Sequence, residues 1–364
     1  MNVLFNVMII TFILAQIACV FGKYVKCKDG YTEYKPNTFL SLLSISVLVV
    51  ISGFRDGIGD TDTYRDIVDG LGNNLIEFLR NPTITEDTGF YAIDVFIKQF
   101  ISEESQVFLF IMALITLFAM IWRLRLDSDM FGVAVFIFSA TSCYLTSMNG
   151  VRQSFVSSLL FLVYPLIYYR KWYIYIPIVL LLSTCHGSAL IFIPLYFVLN
   201  CKGWGRMTWF IVFAGVFLYI SYPVTGPIIA QILGETQYGN YSEVLMSSGN
   251  GANIIRVAVY LVPVILTYLG RERLKVYRYY NIIINATVIN AMVMLLATRY
   301  WIYARFNMYF ALYAIIAICW CLKSLFSGKN RAIITGICLL MFGLFYWYEL
   351  YNLRLVYHSS ILHI

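Results

Sequence analysis

Charge is what this sequence lacks. Only 12% of its 364 residues are Asp, Glu, Lys or Arg, 60% are hydrophobic, and the mean hydropathy is +0.76. Soluble domains carry about a quarter charged residues, so a soluble domain of this length is excluded. No stretch alternates apolar and polar side chains, which excludes lipid-facing strands. The eight cysteines include no CxxC pair and no Cys/His metal spacing. Six of them (Cys19, Cys143, Cys185, Cys319, Cys321 and Cys338) lie in or beside apolar runs, so neither a disulfide framework nor a bound metal is expected, and no cofactor is implied. No internal repeat is visible, which weighs against repeat-built transporter folds. The first apolar run also lacks a basic stretch ahead of it. Its lysines (Lys23, Lys26 and Lys28) follow it, and a retained span is expected rather than a secretion signal.

What is present is apolar length. Segments at 2–22, 38–54, 107–122, 130–148, 151–169, 172–185, 187–200, 207–223, 253–270, 279–298, 300–322 and 332–348 read as membrane helices. The expected fold is an all-α polytopic transmembrane helical bundle of about 12 spans (range roughly 10–12), compatible with a GT-C-like arrangement. One integral membrane domain covers 1–364, with long extracytoplasmic loops at 55–106 and 224–252.

Basic residues concentrate on the cytoplasmic side of short loops. With the N-terminus outside, the cytoplasmic loops hold 17 of the 26 basic residues and five of the 19 acidic ones, a net +12 against −5 on the other face. Both termini are then extracytoplasmic. The overall +7 reflects this topology, and no nucleic-acid partner is implied.

The charged loop Phe54-Arg55-Asp56-Gly57-Ile58-Gly59-Asp60-Thr61-Asp62-Thr63-Tyr64 follows the second span. Its glycines admit close backbone approach, Arg55 suits phosphate, and Asp60 or Asp62 suits sugar hydroxyls or base catalysis. Other polar groups map to the same face: Asn149, Arg152 and Gln153 in an almost loopless connection, His186, Arg256, and Arg299 with Arg305. Snorkelling to headgroups is the ordinary reading of each arginine alone. Several on one face suit a polyanionic headgroup, and a helix start such as that at Arg152 favours anions. His186 joins two apolar runs of about 13 residues, ~20 Å each, which places it beneath the outer surface. An ionisable residue at that depth is a functional candidate.

These motifs, with His186-Gly187-Ser188-Ala189-Leu190 and Arg305 near the start of a late span, resemble the EpsG/Wzy-like polysaccharide polymerases over roughly residues 38–310. The resemblance implies a multi-pass protein of the bacterial inner membrane. It would join undecaprenyl-diphosphate-linked oligosaccharide repeat units, as donor and acceptor, into O-antigen, capsule or exopolysaccharide at the outer leaflet. A chain-length regulator protein is among the partners it admits. His186, Asp60 or Asp62 would be the catalytic base, and Arg55, Asn149, Arg152, Gln153, Arg256, Arg299 and Arg305 would bind diphosphate or sugar. The 224–252 loop matches nothing in that pattern. A flippase or other transporter, and a ligase or other lipid-linked glycosyltransferase, are the competing readings. A flippase would need ionisable groups near the midplane, whereas here they cluster at one face.

Overall fold

Asparagine marks several helix starts in this chain. Asn37, Asn74 and Asn253 each accept a hydrogen bond from a backbone N–H of the first turn, from Leu40, Glu77 and Ile255 at 2.9–3.1 Å, satisfying donors that the helix leaves open. The computed structural model describes residues 2–26, 32–234 and 251–364. Among them the only sheet is a two-stranded antiparallel ribbon, β1 (Lys23–Lys26) with β2 (Thr32–Lys35), Lys23 opposite Lys35.

The other regular elements among the described residues are helices. In the first part of the chain run α1 (Asn2–Val20), α2 (Thr38–Gly53), α3 (Thr61–Gly70), α4 (Leu75–Arg80), α5 (Thr88–Phe100), α6 (Ser105–Asp127), α7 (Phe131–Ala140), α8 (Cys143–Asn149), α9 (Val151–Val163), α10 (Pro165–Tyr168) and α11 (Trp172–Ser183). A 3-10 turn, Gly187–Ile191, then leads into α12 (Phe192–Asn200) and α13 (Arg206–Gly234). After residue 250 come α14 (Ile254–Leu269), α15 (Arg271–Leu274), α16 (Tyr280–Ala297), a 3-10 turn at Trp301–Phe306, α17 (Asn307–Leu325) and α18 (Gly328–Leu353).

Each of the apolar stretches read from the sequence is helical. Among the described residues seven helices are long and apolar enough to cross a membrane, or up to eight with the bent pair α7–α8. Four shorter apolar helices accompany them: Thr38–Gly53, Trp172–Ser183, Gly187–Asn200 and Ile254–Leu269. The stretch at 130–148 is broken by 54° where Ser142 takes a left-handed conformation (φ +62°). The 55–106 segment is largely helical, as α3, α4 and α5. Residues 224–234 of the other expected loop belong to α13, and 235–250 lie outside the described residues.

By contact the chain forms two compact units, Met1–Ile193 with Leu322–Ile364, and Pro194–Cys321. In the first, α1 packs on α2 and α7, α2 on α6, α6 on α9, and α18 on α7. Its interior is apolar (Leu48, Leu117, Ile137 and Phe138 are fully buried), and the Tyr144 hydroxyl donates to Leu48 O at 2.8 Å. In the second, α16 is the hub, touching α13, α14 and the 3-10 turn at Trp301–Phe306.

Candidate active site

The first unit buries an arginine where α2 and α8 end. Carbonyls in the last turn of a helix lack partners and carry the negative end of the dipole. Arg55 meets both ends: Nη1 donates to Ser52 O at 2.5 Å and Nη2 to Met148 O at 2.9 Å, while Nε donates to Thr61 Oγ1 at 2.9 Å. The side chain is 2% exposed, and burial lowers its guanidinium to about 10, so it remains a cation at neutral pH. Arg55 thus ties two helix ends to the start of α3, and its three nitrogens are engaged inside the protein.

The loop it anchors is held on two further sides. Asp60 N–H donates to Asn149 Oδ1 at 3.1 Å. Gly59 (φ +57°) lies so close that a Cβ there would stand 2.0 Å from that oxygen, which is why glycine occupies the position. On the other side the segment after α18 folds back. His358 Nδ1 meets Asp56 Oδ2 at 2.6 Å, and Ser360 donates to Asp56 from its N–H at 2.8 Å and from its hydroxyl at 3.0 Å. Burial would raise the Asp56 carboxyl, but these bonds outweigh it and hold it below the usual carboxylate range.

Beside the loop, one carboxylate gathers an arginine and a histidine. Asp87 Oδ2 lies 3.0 Å from Arg152 Nη1 and 3.1 Å from His186 Nδ1, and Oδ1 accepts from Gly187 N–H at 3.3 Å. Two turns are locked together here: Gly89 N–H donates to Thr184 O at 2.8 Å, and a Cβ on Gly89 would stand 2.1 Å from Thr184 Oγ1. Asp87 caps α5 in a left-handed conformation (φ +51°), which aspartate tolerates better than most residues.

Arg152 opens α9. Its N–H and Nε both reach the Tyr64 hydroxyl at 3.4 Å, and its guanidinium faces the Tyr64 and Tyr91 rings at 6.0 and 5.6 Å. Asp87 is almost buried (7% of its side chain exposed), whereas 31% of Arg152 is open. Burial pushes the Tyr91 phenol up although Arg152 opposes it.

The sequence-derived residues therefore separate. Arg152 and His186 meet on Asp87, and Asn149 meets Asp60 beside them. Asp60 and Asp62 are exposed, with Asp62 3.8 Å from Arg65, and Gln153 is buried in α9. Arg256, Arg299 and Arg305 belong to the second unit. There Arg256 is half-buried in the first turn of α14, Arg299 stacks on Tyr219 at 4.2 Å, and Arg305 on Trp301 at 5.5 Å. Asp87, Tyr64 and Tyr91 escaped the sequence reading. For Asp87 the only local sign was its place in the Thr85–Gly89 turn of an acidic loop. Among the described residues no three His, Cys, Asp or Glu side chains converge as metal ligands.

These features define a polytopic helical membrane protein with an arginine, a carboxylate and a histidine joined at one end of its first unit. The chain belongs to the EpsG family, which matches residues 38–360 and with it a polysaccharide polymerase type of role. No curated protein and no solved structure matches the chain.

Proposed function

We propose that this protein polymerises undecaprenyl-diphosphate-linked oligosaccharide repeat units on the extracytoplasmic face of a bacterial inner membrane. The observation that carries the reading is the meeting of Arg152 and His186 on Asp87, a cation for a diphosphate beside a base for a sugar hydroxyl. The basic-residue asymmetry of the loops supports the outer face.

In the proposed step the acceptor hydroxyl gives its proton to the base as its oxygen bonds to the anomeric carbon. The bond from that carbon to the diphosphate oxygen breaks, and the electron pair leaves with the diphosphate. A single displacement inverts the anomeric configuration. Arg152 stabilises the departing charge. Arg256, Arg299 and Arg305, in the other unit, are separate candidates for holding lipid-linked substrate. Asn149 and Gln153 orient sugar or phosphate, and His186, Asp60 or Asp62 acts as base. Arg55 serves through the loop it anchors.

The test replaces Arg152, His186 and Arg305 separately by Ala and reads the surface glycan ladder at matched membrane levels. Loss of Arg152 is expected to cost on the order of 100-fold, the effect of removing one leaving-charge stabiliser. Single repeat units should then accumulate on the outer side. Accumulation on the inner side supports a flippase instead, and unaltered long chains overturn the proposed site.

A further inference from the structure

We propose that Asp87 is the positioning residue of this site: it fixes His186 as the Nδ1–H tautomer and so makes Nε2 the base. The proposal rests on the polymerase reading for its purpose, though not for its geometry.

Three nitrogens surround the Asp87 carboxylate: Arg152 Nη1 at 3.0 Å, His186 Nδ1 at 3.1 Å and Gly187 N at 3.3 Å. A carboxylate facing a guanidinium and a backbone N–H acts as an acceptor only. Nδ1 must then carry the proton, and in the neutral ring Nε2 carries the lone pair. Nε2 has no hydrogen-bond partner among the described residues, and the side chain is 14% exposed, enough for one ring edge to reach a ligand. Asp60 and Asp62 lie exposed, Asp62 with Arg65 3.8 Å away, whereas His186 is held by a nearly buried carboxylate, so geometry selects His186 among the candidate bases.

The charged and titratable groups facing this cluster are Arg152 from α9, Tyr64 from α3, Tyr91 from α5 and the neighbouring Cys185. Of these only Arg152 is a cation, and it shares one carboxylate oxygen with the imidazole. In the displacement the acceptor O–H proton passes to Nε2 while Nδ1–H stays on Asp87, which exchanges no proton. The imidazolium that forms is stabilised by Asp87. A diphosphate at Arg152 draws the guanidinium toward itself and leaves Oδ2 more fully to His186. Donor binding and base orientation are thereby linked through a single atom.

The test uses the full chain in lipid nanodiscs with nitrogen-15-labelled histidine. Long-range proton–nitrogen correlation reads which ring nitrogen is bare, and a His186→Gln sample identifies the signal. The expected wild-type spectrum above neutral pH shows Nδ1 protonated and Nε2 bare. Asp87→Asn tolerates the same backbone conformation but offers an amide N–H that bonds Nδ1 as an acceptor, so the proton should move to Nε2. Polymer formation should fall roughly 100- to 10,000-fold, the scale of enforcing the wrong tautomer. Arg152→Gln should lower polymer formation without moving the tautomer.

A wild-type ring protonated on Nε2, or an unchanged tautomer in Asp87→Asn, overturns the proposal. The wild-type spectrum decides even where the variant fails to fold. A tautomer shift together with normal long chains in His186→Gln would uphold the positioning role and overturn the polymerase base.

Discussion

Replacing Asp94 by Asn should stabilise the protein above neutral pH and leave it unchanged in acid. Asp94 lies on the inner face of α5, wholly buried, and neither carboxyl oxygen has a hydrogen-bond partner among the described residues. Lys98, one turn on, points its ammonium to Val68 O at 2.7 Å and Leu71 O at 2.5 Å rather than bonding the carboxylate. Burial pushes the Asp94 carboxyl from 3.8 up to about 7; Lys98 counters this in part, and Asp69 adds to it.

The folded state therefore holds the Asp94 proton more tightly than the unfolded chain. Its contribution to stability is fully present below the unfolded value near 3.8 and is lost as pH rises through about 7. The rise from 3.8 to about 7 corresponds to roughly 4 kcal/mol lost at pH 8. Asn never ionises, and its unpartnered amide costs about as much as the unpartnered protonated carboxyl it replaces, about 1–3 kcal/mol in either case, so the two cancel in acid. The gain expected at pH 8 is thus roughly 4 kcal/mol. Thermal unfolding followed by the fluorescence of the seven tryptophans, at several pH values between about 4 and 8, measures it. The reasoning fails if the difference between variant and parent is flat across that range, or if the variant is the less stable at the alkaline end.

Two more predictions concern the turns around the site. Gly59→Ala and Gly89→Ala would set a Cβ 2.0 Å from Asn149 Oδ1 and 2.1 Å from Thr184 Oγ1 respectively. Each should cost about 1–3 kcal/mol and shorten the glycan, and normal chains at normal protein levels would contradict the packing described. Asp56→Ala and His358→Ala should each destabilise by no more than about 1 kcal/mol, and the double variant should match Asp56→Ala alone, because one carboxylate carries the bond. Additive losses in a double-mutant cycle would show that the two side chains act separately.

The helices were legible because apolar length is a local property, and each expected apolar stretch has its helix. The kink inside 130–148 was not legible, since it rests on the backbone of Ser142 rather than on a Gly or Pro signal. His186 and Arg152 were legible as polar groups in apolar surroundings. Their partner Asp87 was not, because one carboxylate among the 11 acidic residues of 55–106 carries no local mark, and it meets His186 across 99 positions. Arg55 stood out for its charge, but its position between two helix ends depends on how α2 and α8 converge. His358 carries no local mark in the sequence either, since its bond to Asp56 spans 302 positions.

That last separation has a consequence in time. At about 5–20 residues per second of synthesis, roughly 15–60 s pass between the emergence of Asp56 and that of His358. During that interval α3 through α18 are made, and the loop after α2 stands without its clasp. Contacts so distant in sequence form late and slowly. A nascent chain released before residue 357 would carry every helix through α18 and still leave the wall beside Asn149 and Arg152 unfastened. The charged loop is made long before the residue that finishes it.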